Sequence, residues 1–256
     1  MKLLLLNANT TAPMTAKMAQ AAHKLAPVGT EIVAATGRFG AAYISTRSAA
    51  AIAGHAALDL LAEHVGPGNP AGFDAVALAC FGDPGLLALK ELSPIPVFGM
   101  AEASLTAASQ LGTRIGIITG GLRWIAMLNE LAALLGFTSR LVGIRASSLT
   151  GAEIAADPDG AAGQLATLAQ DLVTQDGADI LIFGGAGLVG FAPRLQPQID
   201  VPLLDSLSCL ITQSLAAARL ATIKPVHGSL AVPPPVAVTG LSQPLARWLG
   251  APSLSA

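Results

Sequence analysis

Charge is scarce in this chain: Asp, Glu, Lys and Arg make up 12% of its 256 residues, and 14 basic against 16 acidic side chains leave a net charge of −2. No Lys/Arg cluster stands out, so the electrostatic footprint of a nucleic-acid binder is missing. Cysteine is rarer still. Cys80 and Cys209 lie far apart with no C-x-x-C pair, which argues against a disulfide framework or a structural zinc site. Aromatic residues amount to 4%. Long apolar runs are also absent: alanine and glycine inflate the mean hydropathy of +0.61, and no stretch approaches the ~18 uninterrupted apolar residues of a spanning helix. The run Leu3 to Leu6 is too short for a secretory leader. The expectation is a cytoplasmic protein without a membrane partner.

What the chain has in quantity is hydrophobic sequence, 52% of it, arranged as short apolar runs alternating with longer alanine-rich segments of helical spacing. That alternation predicts α/β architecture, with one or two domains at this length. Strands are expected near 2–6, 30–36, 74–80, 95–98, 114–118, 139–144, 179–183 and 201–204. Helices are expected near 12–26, 46–65, 84–92, 100–111, 121–136, 159–176 and 206–221. The strands carry almost no charge, as in a parallel sheet covered by helices on both faces. Prolines 225, 233, 234, 235 and 244 mark a tail draped over a domain or a partner, with one short helix near 242–249. The low charge density and the apolar, proline-rich tail together suggest a homo-oligomer.

The chain also repeats itself. Lys2-Leu-Leu-Leu-Leu-Asn-Ala-Asn has a counterpart in Arg114-Ile-Gly-Ile-Ile-Thr-Gly-Gly, Asp74-Ala-Val-Ala-Leu-Ala-Cys-Phe-Gly in Asp179-Ile-Leu-Ile-Phe-Gly-Gly-Ala-Gly, and Ile95-Pro-Val-Phe-Gly in Val201-Pro-Leu-Leu-Asp. The offsets of 112, 105 and 106 residues fit a duplicated fold with loop changes. Two pseudo-symmetric Rossmann-like lobes are therefore expected, each with a mainly parallel sheet, facing each other across a cleft at the strand carboxyl ends. The first lobe spans 1–98, with 206–225 packing back onto it; the second spans 99–205, and 226–256 is the tail.

Chemistry enters at Cys80, where the run from Asp74 passes from strand into turn. A helix starting near Pro84 would place the thiol by a helix N-terminus, a setting that favours thiolate. Asp83 reads as the N-cap of that helix. The backbone N–H groups of Phe81 and Gly82, and those of the turn Gly184, Gly185, Ala186 and Gly187, form two candidate oxyanion nests. Asn9, Thr10, Thr119 and Gly120 end equivalent strands and are candidates to hold carbonyl or carboxylate oxygens. Tyr43 and Phe81 supply the apolar side of the pocket. Arg47, Arg123 and Arg194 are candidates for gripping an anion, although arginines so placed are usually solvated. Glu102 reads as a ligand for a helix terminus or backbone nest. His23, His55, His64 and His227 fall on helices or in the tail, and Cys209 inside an amphipathic helix, all as packing or surface residues. A symmetric cleft with an acid/base on each wall suits removal of a proton from one face of a carbon and its return on the other, which is racemisation.

Four segments carry a family resemblance: Asn7-Ala8-Asn9-Thr10, Ala79-Cys80-Phe81-Gly82-Asp83-Pro84-Gly85-Leu86, Pro96-Val97 leading to Glu102, and Gly184-Gly185-Ala186-Gly187-Leu188. Over residues 1 to about 222 the chain resembles the aspartate/glutamate/hydantoin racemases, the hydantoin racemase branch above all. The resemblance implies a cofactor-free enzyme for a small-molecule substrate, with two cysteines flanking the α-carbon. It also implies a departure, since the family carries Gly-Cys-Ala-Gly where this chain has Gly185 in place of the second cysteine. Three functions follow as expectations. The first is a racemase or epimerase for a 5-substituted hydantoin or related derivative, using Cys80. The second is a decarboxylase or isomerase of the arylmalonate decarboxylase type with a single cysteine donor, and the third is a binding protein without chemistry.

Overall fold

A computed structural model describes residues 1–220 and 223–250. The last residue of the helix expected over 206–221 and the end of the expected tail, 251–256, lie outside the described residues. The first sheet holds β1 (Lys2–Asn7), β2 (Glu31–Thr36), β3 (Ala75–Leu78) and β4 (Val97–Gly99), all parallel in the order β2-β1-β3-β4. The second holds β5 (Ile115–Gly120), β6 (Leu141–Ser147), β7 (Ile180–Gly184) and β8 (Leu203–Asp205), parallel in the order β6-β5-β7-β8. The second order is the first with four added to each strand, so the duplication legible in the sequence is a duplication of topology. The central strands β1, β3, β5 and β7 are buried almost throughout, which is why they are built mainly of apolar residues and glycine.

Around the first sheet lie α1 (Ala12–Leu25), α2 (Arg47–His64) and α3 (Leu86–Leu92), and α4 (Met100–Leu111) leads out of β4 toward the second lobe. The second sheet carries α5 (Trp124–Leu134), α6 (Gly151–Ala156), α7 (Pro158–Thr174) and α8 (Phe191–Leu195). After β8 the chain returns: α9 (Ser206–Ala218) packs on α4, α1 and β3. The short α10 (Gln243–Leu249) buries Leu245 and rests on α2. Upstream of it, Lys224 Nζ donates to the carbonyls of Lys90 and Glu91.

Two helices were not expected. In α6 the side chain of Thr150 accepts from Glu153 N while the Glu153 carboxylate accepts from Thr150 N, a capping box that stabilises six residues which propensity alone would not. In α8 the turn at Gly190, with φ of 93°, starts five residues anchored by the buried Phe191 and Leu195.

Asp83 corrects another expectation. Helix α3 begins only at Leu86, after Gly85, and Asp83 does not cap it. With φ of 43°, Asp83 turns its carboxylate the other way, where it accepts from Ala101 N at 3.0 Å and Glu102 N at 2.8 Å in the first turn of α4. The approach requires glycine at 99, because a Cβ there would stand 2.3 Å from the carboxylate. Glu102 accepts from Gly99 N and pairs with Lys90, so it too serves the α4 terminus. No helix among the described residues is long and apolar enough to cross a membrane.

Candidate active site

The carboxyl ends of β1, β3, β5 and β7 converge on one cleft between the lobes. Its walls are Asn9, Met14, Tyr43, Ile44, Cys80, Phe81, Thr119, Gly120, Trp124, Gly151 and the turn Gly184 to Leu188, and they bound about 530 Å³ of space including its open mouth. Of the sequence candidates, Asn9, Tyr43, Cys80, Phe81, Thr119, Gly120, Gly184, Gly185 and Ala186 line it together, while Thr10 and Gly82 do not. Thr10 instead donates its N–H to Ala41 O at 3.2 Å. Arg47 pairs with Glu130 and Arg194 with Asp159, and neither they nor Arg123 reaches the cleft. None of the lining residues bears a charge.

Lobe 1 supplies Cys80, which sits in the turn after β3, where Asp83 N donates to its carbonyl at 3.0 Å. The residue keeps some accessible surface but lies deep in the fold. Burial pushes the thiol up to about 12, the Gly82 N–H pulls it partly back, and the negative charge of Asp83 adds to the rise. The setting expected to favour thiolate is not found: α3 starts only six residues on, and the N-terminus of α4 is occupied by the Asp83 carboxylate. Asn9 is held by a network at the end of β1, its Oδ1 accepting from Asn7 Nδ2 at 2.9 Å and Thr11 N at 2.9 Å.

Lobe 2 supplies the opposite wall. Thr119 donates to Gly184 O at 2.9 Å, tying β5 to the turn after β7. Gly185 N–H donates to Ser206 Oγ at 3.1 Å, so that member of the expected nest has a partner within the protein. Gly185 adopts φ of 120°, and an added Cβ would meet nothing nearer than Thr119 Oγ1 at 4.0 Å. The wall at this point is open space.

Aromatic rings join the walls. The Phe81 ring of lobe 1 lies where a Cβ on Gly184 would be, at 2.1 Å, and the Trp124 ring of lobe 2 lies 2.4 Å from the corresponding point on Gly82. Tyr43 leaves the β2–α2 loop of lobe 1 and crosses the gap. Its hydroxyl oxygen accepts from Gly151 N at 2.9 Å and its O–H points to Gly120 O at 3.5 Å. The polar end of Tyr43, expected on the apolar side, thus reaches across the lobe junction, as do the contacts of Trp124 with Gly82 and of Gly151 with Tyr43; these two and Met14 and Ile44 line the cleft without having been legible in the sequence. Cys209 is buried in α9, outside this cleft, and its thiol is likewise pushed up to about 12 by burial. Among the described residues no group of three or more His, Cys, Asp and Glu is placed to hold a metal ion.

Comparison with known proteins agrees with the two-lobe fold. The family model described as Asp/Glu/Hydantoin racemase matches residues 3–214. The chain is 34% identical over 226 residues to the hydantoin racemase of Paenarthrobacter aurescens, covering 88% of this chain and 94% of that protein. Its fold is similar to that of allantoin racemase from Pseudomonas fluorescens, with a TM-score of 0.88 and 29% identity over 94% of this chain and all of the other. Arylmalonate decarboxylase shares the fold more distantly, with a TM-score of 0.59 and 18% identity over 85% of this chain and 92% of that one.

Proposed function

Because the chain belongs to the Asp/Glu/Hydantoin racemase family, a family of isomerases, we propose that it is a cofactor-independent racemase or epimerase acting at the acidic α-carbon of a 5-substituted hydantoin or related cyclic amide, with Cys80 as the proton-transfer group on one face. The observation that carries this reading is a thiol set in an uncharged cleft between two lobes. An uncharged cleft suits a neutral ring. A free amino acid or a dicarboxylate would lose its hydration there with no cationic side chain to compensate.

Protonated at neutral pH, Cys80 reacts through its minor thiolate form, and the same raised affinity for the proton makes each thiolate a stronger base. It takes the α-proton, the electron pair passes into the adjoining carbonyl, and the enolate oxygen is stabilised by donors lining the cleft, such as the amide of Asn9. Reprotonation from the lobe-2 side completes inversion. The reading is tested by incubating single enantiomers of several 5-substituted hydantoins, allantoin and aspartate in D₂O, following the α-proton by NMR and chirality by optical rotation. Hydantoins should lose both signals and aspartate neither; silence toward every hydantoin contradicts the reading.

A second reading, decarboxylation of an arylmalonate-type substrate with Cys80 as sole proton donor, is favoured by the thiol's protonated state. The absence of any cation along the cleft wall ranks it behind the first. Carbon dioxide release from a 2-aryl malonate, with no exchange on hydantoins, would reverse that order.

A further inference from the structure

Racemisation needs a proton carrier on each face of the substrate, and the wall facing Cys80 has only Gly185 at the turn after β7. Of the side chains lining the cleft, Asn9, Thr119, Tyr43 and the Trp124 indole carry polar hydrogens besides Cys80, and only Tyr43 has a proton acidic enough to exchange with a carbon acid. Although Tyr43 belongs to lobe 1, its hydroxyl stands on lobe 2. The Gly151 N–H that it accepts begins α6, and Gly151 is packed against the same turn as Gly185: a Cβ on Gly187 would lie 2.0 Å from Gly151 O. The donor side of the hydroxyl is loosely engaged, since its contact with Gly120 O is 3.5 Å. A proton so held is available to a bound substrate.

We propose that the Tyr43 hydroxyl is the second proton carrier of this cleft, working from the lobe-2 wall on the face of the α-carbon opposite Cys80. The inference rests on the proton-transfer reading of Cys80 given above. In one direction the Cα–H bond breaks, its proton passes to the Cys80 thiolate, and the electron pair enters the enolate. The Tyr43 O–H bond then breaks and its proton forms the new Cα–H bond on the other face, leaving Cys80 as thiol and Tyr43 as phenolate. The opposite enantiomer runs the same steps in reverse, with the phenolate as base. The Gly151 N–H stabilises that phenolate, and the Trp124 side chain acts in the same direction; burial holds the phenol above its ordinary range, and the nearby Cys80 and Glu153 charges add to this.

Tyr43 is the only tyrosine in the chain, which makes the test selective. In D₂O, with each hydantoin enantiomer in turn, Tyr43→Phe is expected to lower inversion about 10²-fold or more while Cys80 continues to exchange the α-proton of one enantiomer with retention of configuration. Inversion undiminished in Tyr43→Phe overturns the assignment. Should loss of the Gly151 acceptor unfold that variant, biosynthetic replacement of tyrosine by 3,5-difluorotyrosine keeps the hydroxyl and makes this one phenol more acidic. The pH profile of inversion should then shift to lower pH, and an unmoved profile overturns the assignment. A wild-type enzyme that exchanges the α-proton but never inverts also overturns it and leaves the role of Cys80 standing, whereas no exchange at all removes the reading on which it rests.

Discussion

Cys80 and Gly185 end two equivalent turns, and a thiol on one against a hydrogen atom on the other makes the two walls of the cleft chemically unlike. Cys80→Ala is expected to lower α-proton exchange by about 10²-fold or more without unfolding the protein, because the thiol donates to no structural partner; NMR exchange rates beside a thermal melt check both halves. The raised thiol sets the sign of the pH dependence. Its proton leaves only toward about 12, so exchange should climb with pH through the neutral and mildly alkaline range rather than level off near neutrality. Gly185→Cys tests the opposite wall. Space is open there, but φ of 120° is unfavourable for any side chain, so the variant should lose about 1–3 kcal/mol of stability in denaturant titration while gaining inversion rate.

Among the elements, the turn after β3 and the first turn of α4 are fastened by one buried carboxylate. Burial lifts Asp83 to about 7, although the N–H groups of Glu102 and Ala101 pull it back. Its folded pKa lies above its unfolded one, so its contribution to stability is full below about 4 and declines as pH rises through about 7. Asp83→Asn keeps an acceptor and tolerates the left-handed φ, so it should flatten that slope in melts taken between pH 4 and 8. Asp83→Ala should cost about 1–2 kcal/mol at either pH. All eight strands were legible in the sequence because they are short, mainly apolar and bounded by turns, the central four buried almost throughout. The cap was misread because the partners of Asp83 lie 18 and 19 residues downstream, whereas a local cap is two or three away. Helix α6 was missed although Thr150-x-x-Glu153 spells its capping box, since six residues show too little periodicity. Cys80 was legible from its strand-to-turn position; the Tyr43 hydroxyl was not, because Gly151 is 108 residues away.

For the molecule as a whole, the duplicated lobes are closed on each other by rings seated on glycines: Phe81 on Gly184, Trp124 on Gly82, and Tyr43 between Gly120 and Gly151. A methyl group at 184 has to displace the Phe81 ring, so Gly184→Ala should part the lobes, raise KM for a hydantoin and lower the melting temperature. Gly187→Ala meets backbone at 2.0 Å and should be the more damaging of the two in the same assays. The exposed Arg47–Glu130 pair also spans the lobes, and being solvated it should contribute at most about 1 kcal/mol. The central claim is that Cys80 moves a proton at the α-carbon of a neutral substrate held in this cleft. It is tested most directly by proton NMR of the 5-substituted hydantoin enantiomer whose α-proton Tyr43→Phe still exchanges, in D₂O, with wild type and Cys80→Ala side by side. The account predicts loss of the α-proton signal with wild type and its persistence with the variant; equal loss with both, or with neither, would contradict it.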